Sequence, residues 1–129
     1  MLKELNQVID YIEEHLTGDL TLELIAQYAG VSDYHLRTIF FYLSGMTLSD
    51  YIKSRKLSAA NMDLLAGEKV TDVAFKYGYQ SLDGFTRAFK KWSGYLPSDV
   101  LKKGVSKSFP KLSFVITVKG GISMDFRIE

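Results

Sequence analysis

Residues 74–94 read AFKYGYQSLDGFTRAFKKWSG, and residues 26–45, AQYAGVSDYHLRTIFFYLSG, say nearly the same thing. Ala74 stands four residues before Gly78, as Ala26 stands four before Gly30. Ser32 follows its glycine by two residues and Ser81 by three. After that single insertion the register holds. Leu36 and Phe40 answer to Phe85 and Phe89, Gly45 to Gly94, and Ser49-Asp50 to Ser98-Asp99. Each copy reads as a helix, a tight glycine turn, an N-cap serine, a second helix and a glycine stop. That is the sequence form of a helix-turn-helix, present twice.

The chain around the repeat can bury a real core, with 129 residues and 47% hydrophobic content. Charged residues make up 24% and nearly cancel, leaving a net charge of +1. Disorder is not expected of such a balance. The distribution is uneven. The charged residues up to Gly30 are mostly acidic, while Arg87, Lys90, Lys91, Lys102, Lys103, Lys107 and Lys111 follow late in the chain. A local basic face can hold phosphate even on a neutral chain. Cysteine is absent, which excludes a disulfide scaffold and a cysteine metal site and fits a reducing compartment. No apolar run is long enough to span a membrane, and the start lacks a signal-peptide pattern, so the chain reads as cytoplasmic.

In order, residues 3–16 carry Leu5, Ile9, Ile12 and Leu16 at helical spacing. Thr21 caps a second helix with Leu22, Ile25, Ala26 and Ala29 inward. Ser32 caps a third, to about Leu43, with Leu36, Ile39, Phe40 and Leu43 inward. Its outward face is Asp33, Tyr34, Arg37, Thr38 and Phe41, the last serving as interface or as packing under the next helix. Thr47 or Ser49 starts a long helix ending near Gly67. Its apolar residues form two lines, Leu48, Ile52, Ala59 and Met62, and Leu57, Ala60 and Leu64. A helix apolar on two sides suits a bridge between the repeated units. Arg55 lies in the first line and is expected to pair with an acid, because an unpaired buried charge is costly. From Val70, the residues Val73, Ala74 and Tyr77 face inward. Ser81 caps the last strong helix, with Phe85, Ala88, Phe89 and Trp92 inward and Leu82, Asp83, Thr86, Arg87 and Lys90 outward. Pro97 begins a short final helix through about Leu101.

After Lys103 the period changes from 3.6 to 2, a hairpin signal. A two-residue Gly-Gly turn would put the two apolar rows on opposite faces. A three-residue turn, Lys119-Gly120-Gly121, pairs Val118 with Ile122 and Ile116 with Met124. The three-residue turn with a glycine bulge is therefore expected. The alternation still runs at Glu129, so a longer protein is expected. The fold class that follows is an all-α twin helix-turn-helix of about seven helices, in two subdomains joined by a long helix, then a C-terminal β-hairpin. The boundaries are 1–103 for the helical part, with its units near 20–45 and 70–94, and 104–129 for linker and hairpin.

The chain resembles the DNA-binding domain of the AraC/XylS family of transcription regulators over about residues 2–101. The resemblance is strongest in VTDVAFKYGYQSLDGFTRAFKKWSGYLPSDV, residues 70–100, and extends to IAQYAGVSDYHLRTIFFYLSGMTLSDYIKSRKLSAA, residues 25–60. It implies binding of double-stranded promoter DNA, with recruitment or blocking of RNA polymerase. The base-reading positions it implies are Tyr34, Arg37 and Thr38 in the first unit and Leu82, Asp83, Thr86 and Arg87 in the second. Arg37 and Arg87 have the donor geometry for guanine, and Lys90 and Lys91 suit phosphate. Asp83 can instead favour the helix N-terminus or accept from cytosine. One departure stands out. Many relatives carry a basic pair where this chain has Phe41-Tyr42. The tail VKGGISMDFRIE, residues 118–129, resembles the junction before a GyrI-like effector-binding domain, which implies a small-molecule effector beyond this chain. The unpaired hairpin offers a route to a homodimer.

No enzyme signature is present: no HExxH, nucleophile elbow, P-loop or dinucleotide fingerprint. His15 and His35 fall in separate helices, so neither a metal nor a catalytic site is expected, and no cofactor is implied. The rival reading is a protein-interaction or dimerisation module with slight DNA affinity, using Phe41-Tyr42 and the hairpin.

Overall fold

The caps expected from the sequence form. Thr21 Oγ1 accepts the Leu24 amide at 3.1 Å, Ser32 Oγ the His35 amide at 3.0 Å, Thr47 Oγ1 the Asp50 amide at 3.0 Å, and Ser81 Oγ the Gly84 amide at 3.0 Å. Each satisfies an amide that the first helical turn leaves without a partner. The helices they open, with the others, are α1 (Leu2–Glu14), α2 (Leu22–Ala29), α3 (Asp33–Ser44), α4 (Leu48–Leu65), α5 (Val70–Lys76), α6 (Leu82–Ser93) and α7 (Pro97–Lys103). Two strands follow, β1 (Leu112–Val118) and β2 (Ile122–Ile128). This computed structural model describes the backbone of residues 2–118 and 122–128 and the side chains of residues 2–115.

The chain folds as two units. The first holds α1, α2, α3, the start of α4 through Ile52, and the hairpin from Pro110. Its core is Leu5, Val8, Ile9, Ile12, Ile25, Leu36, Phe40, Leu48, Tyr51, Leu112 and Phe114. The hairpin is built into this unit. Asn6 Nδ2 donates to the Phe114 carbonyl and Asn6 Oδ1 accepts the Phe114 amide, both at 2.8 Å. The Leu112 amide donates to the Tyr51 hydroxyl at 3.1 Å. Phe114 meets Phe40 edge-on at 6.0 Å. A hairpin that is marginal alone thus gains the partner surface that it needs. The strand register is antiparallel with Val118 opposite Ile122 and Ile116 opposite Met124, as the three-residue turn required. The expected glycine bulge at 119–121 lies outside the described residues.

The second unit holds α4 from Lys53 onward, α5, α6, α7 and the chain to Phe109. Leu57, Ala60, Leu64, Val73, Ala74, Tyr77, Phe85, Phe89 and Val100 fill its core. Asp63 joins α4 to α5 by accepting from the Tyr77 hydroxyl at 2.6 Å and pairing with the Lys76 ammonium at 2.9 Å.

Some α4 side chains differ from expectation. Met62 is 58% exposed rather than part of an apolar line. Polar Ser58 and Asn61 are buried instead. Each bonds to the segment after α7: Ser58 Oγ accepts the Phe109 amide at 3.0 Å, and Asn61 Nδ2 donates to Ser106 Oγ at 2.8 Å. Half-buried Arg55 donates to the Phe109 carbonyl. A backbone with its own donors and acceptors to satisfy explains why this face of α4 is polar.

Candidate nucleic-acid interface

The two glycine turns are built alike. Gly30 has φ 72° and Gly78 φ 86°, a left-handed conformation open to glycine. The Gly30 amide donates to the Gln27 carbonyl and Val31 to Ala26; the Gly78 amide donates to Phe75 and Tyr79 to Ala74. The far ends of α3 and α6 also match. Ser44 Oγ donates to the Phe40 carbonyl at 2.7 Å and accepts the Met46 amide at 3.3 Å. Ser93 Oγ does the same with Phe89 at 2.7 Å and Tyr95 at 3.1 Å. The duplication read in the sequence therefore extends to individual hydrogen bonds.

Between these fixed ends, α3 buries Leu36 and Phe40 and α6 buries Phe85 and Phe89. The opposite faces are left to solvent. On α3, Tyr34 is 73% exposed, and Arg37 and Thr38 are exposed beside it. These three line one open groove with Leu22, Phe41 and Thr47. On α6, Leu82, Asp83, Arg87, Lys90 and Lys91 are exposed and Thr86 is half-buried. All the site residues expected from the sequence on each helix thus share that helix's outer face.

Both arginines are already paired. Arg37 Nε lies 3.0 Å from Asp33 Oδ1, and Arg87 Nη2 lies 2.8 Å from Asp83 Oδ2. Asp83 therefore orients Arg87, a role added to the two considered from sequence. The i,i+4 spacing of acid and arginine was the signal for it. The two faces differ in charge. On α6, Lys90 and Lys91 occupy the last turn, where the helix dipole favours cations. On α3, the matching Phe41 and Tyr42 are 55% and 85% exposed, which settles Phe41 as a surface residue.

His15 takes no part in this face. Its ring stacks on Tyr11 at 4.1 Å, and its Nδ1 lies 2.7 Å from the Tyr11 carbonyl. Among the described residues no group of three acids or histidines could hold a metal ion, and no helix is long and apolar enough to cross a membrane.

Two glycine-turned helix pairs, each presenting the outer face of its second helix, define a twin helix-turn-helix protein. A family model described as a helix-turn-helix domain matches residues 25–103. The chain is 35% identical over 95 residues to the HTH-type transcriptional activator AarP of Providencia stuartii, spanning 73% of this chain and 70% of that protein. It is 33% identical over 98 residues to the regulatory protein SoxS of Escherichia coli strain K12, spanning 75% and 92%. A probable AraC family transcriptional regulator from Rhodopseudomonas palustris superposes with a TM-score of 0.69 at 26% identity, over 78% of this chain and 96% of that one. The chain belongs to the AraC family of helix-turn-helix transcription regulators, a DNA-binding family without enzymatic activity.

Proposed function

We propose that this protein regulates transcription by placing α3 and α6 in adjacent major-groove segments of one promoter site, roughly one helical turn or ~34 Å apart. The outer face of α6 carries the reading. It sets Arg87 for a base edge, with Lys90 and Lys91 near phosphate. Arg37, Tyr34 and Thr38 on α3 take the corresponding part in the first unit. The relatives include a named activator, which favours activation over repression and a contact with RNA polymerase.

Selection of bound duplexes from a random pool tests this. A motif of two half-elements about one turn apart is expected, with Arg37→Ala and Arg87→Ala each relaxing one half. No enrichment, with a flat response to salt, would exclude it. The exposed Phe41 and Tyr42 favour a second reading, a protein-interaction module. There the same selection would return a motif for the Arg87 half alone, or none.

A further inference from the structure

The matched family region ends at residue 103, yet the chain beyond it keeps a fixed course in the second unit. Residues 106–109 are held along α4 by Asn61, Ser58 and Arg55. They also reach α6. The Lys107 ammonium donates to the Trp92 carbonyl at 2.6 Å and lies 5.0 Å above the centre of the Trp92 ring. Trp92 belongs to the last turn of α6, where carbonyls lack helical partners and the dipole attracts cations. The aromatic face adds a second attraction for the same charge.

A second path runs through Asn61. Its Oδ1 accepts from the Tyr95 hydroxyl at 2.9 Å and from the Lys107 amide at 3.4 Å. Tyr95 packs against Phe89 with ring centres 5.7 Å apart, and its backbone is locked by Ser93. The C-terminal end of α6 is thus gripped at Trp92 directly and at Tyr95 through a buried amide. The first unit has Leu43 and Met46 at the corresponding positions, which offer neither a large ring nor a hydroxyl for such a grip.

We infer that residues 106–109 form a strap that positions α6 for DNA reading, with Lys107 as its positioning residue. The inference rests on the groove reading proposed above. A recognition helix engages bases as a rigid body, so a small tilt moves Arg87 out of register with its base pair. The strap fixes the end of α6 opposite its base-reading turn. Lys107 performs this task from a basic stretch that otherwise looks like a phosphate contact, because its charge is engaged by Trp92.

The test uses the full chain, wild type and Lys107→Met, on the duplex that the wild type selects and on two duplexes with either half scrambled. Anisotropy titrations over a salt series give affinity and slope. Lys107→Met is expected to bind the full duplex, and the duplex keeping only the α6 half, roughly fivefold more weakly. Affinity for the duplex keeping only the α3 half stays unchanged, and so does the salt slope. Lys107→Arg, which keeps charge and ring contact, restores most of the affinity, whereas a general folding defect would lower binding to all three duplexes. Equal losses on all three duplexes, with the slope falling by about 0.9, would make Lys107 a phosphate contact. Unchanged affinity throughout would remove the strap's role. A wild-type chain that selects no motif sinks the groove reading along with this inference, a pattern distinct from the other two.

Discussion

Asp83 holds Arg87 by a 2.8 Å ion pair one helical turn away, both side chains open to solvent. An exposed pair of this kind adds little stability. Its effect is on the guanidinium, which is biased toward Asp83 and partly neutralised. Asp83→Ala should therefore tighten binding to random duplex, by removing a charge that repels phosphate, while weakening preference at the base facing Arg87. Competition titrations of the selected duplex against random DNA would check this. Arg87→Ala should lose about 1–3 kcal/mol of discrimination at that base.

The charge difference between α3 and α6 predicts different salt responses. Replacing Lys90 and Lys91 by alanine should flatten the slope of log affinity against log salt by about 0.9 for each phosphate that is no longer neutralised. Converting Phe41 and Tyr42 to lysine should steepen it by a similar amount. A slope that ignores both double variants would place phosphate away from this region of either helix.

Asn61 is fully buried and bonds Ser106, Tyr95 and the Lys107 amide. Asn61→Leu deprives those groups of their shared partner, at a cost of about 1–3 kcal/mol. Urea denaturation would read this as a lower midpoint with an unchanged slope.

Asn6→Ala should release the Phe114 backbone from α1. The loss is again about 1–3 kcal/mol. Hydrogen exchange should quicken at the Phe114 amide more than at amides of α6, because the bond belongs to the first unit.

Alkaline pH offers a separate test. Burial pushes the Tyr79 and Tyr95 hydroxyls above the ordinary phenol value of 10.0. Below that value both groups are neutral, folded or unfolded, and stability is unaffected. Above it the unfolded chain ionises first, so stability falls as pH rises through the folded values. Lys76, raised chiefly by its hydrogen bond to Asp63, contributes a loss in the same direction above 10.5. Lys56, lowered by burial, acts oppositely, adding stability as pH rises from its lowered value toward 10.5. Tyr79→Phe should flatten the alkaline decline, measured by denaturation at a series of pH values.

The repeat made the helices legible, because caps, glycine stops and the 3.6 period are local signals carried by adjacent residues. Ser32, Ser81, Gly30 and Gly78 each do in the structure what their types and spacing imply. The outward faces followed, since fixing Phe40 and Phe89 as inward fixes what points away. The hairpin register followed from keeping two apolar rows together. Local patterns carry no sign of the bonds that join distant segments. Asn61 and Ser58 look like surface residues in any local window, and only the chain arriving 45 and 51 positions later makes them interior. Lys107 and Lys111 read equally as linker solvation or as phosphate contacts. The first lies on Trp92, and the second pairs with Asp10 at 2.6 Å.

The docking of β1 bears on how this molecule could be dissected. A cut at residue 103, where the family match stops, would remove Leu112 and Phe114 from the core that also holds Phe40 and Tyr51. Each such side chain represents about 1.5–3 kcal/mol of burial, comparable to a good part of a small unit's net stability. A minimal DNA-reading fragment should therefore keep residues through at least 118. A fusion partner or affinity handle placed between α7 and β1 would break into residues 106–109, which bond to Asn61, Ser58 and Trp92, rather than sit harmlessly on a tether.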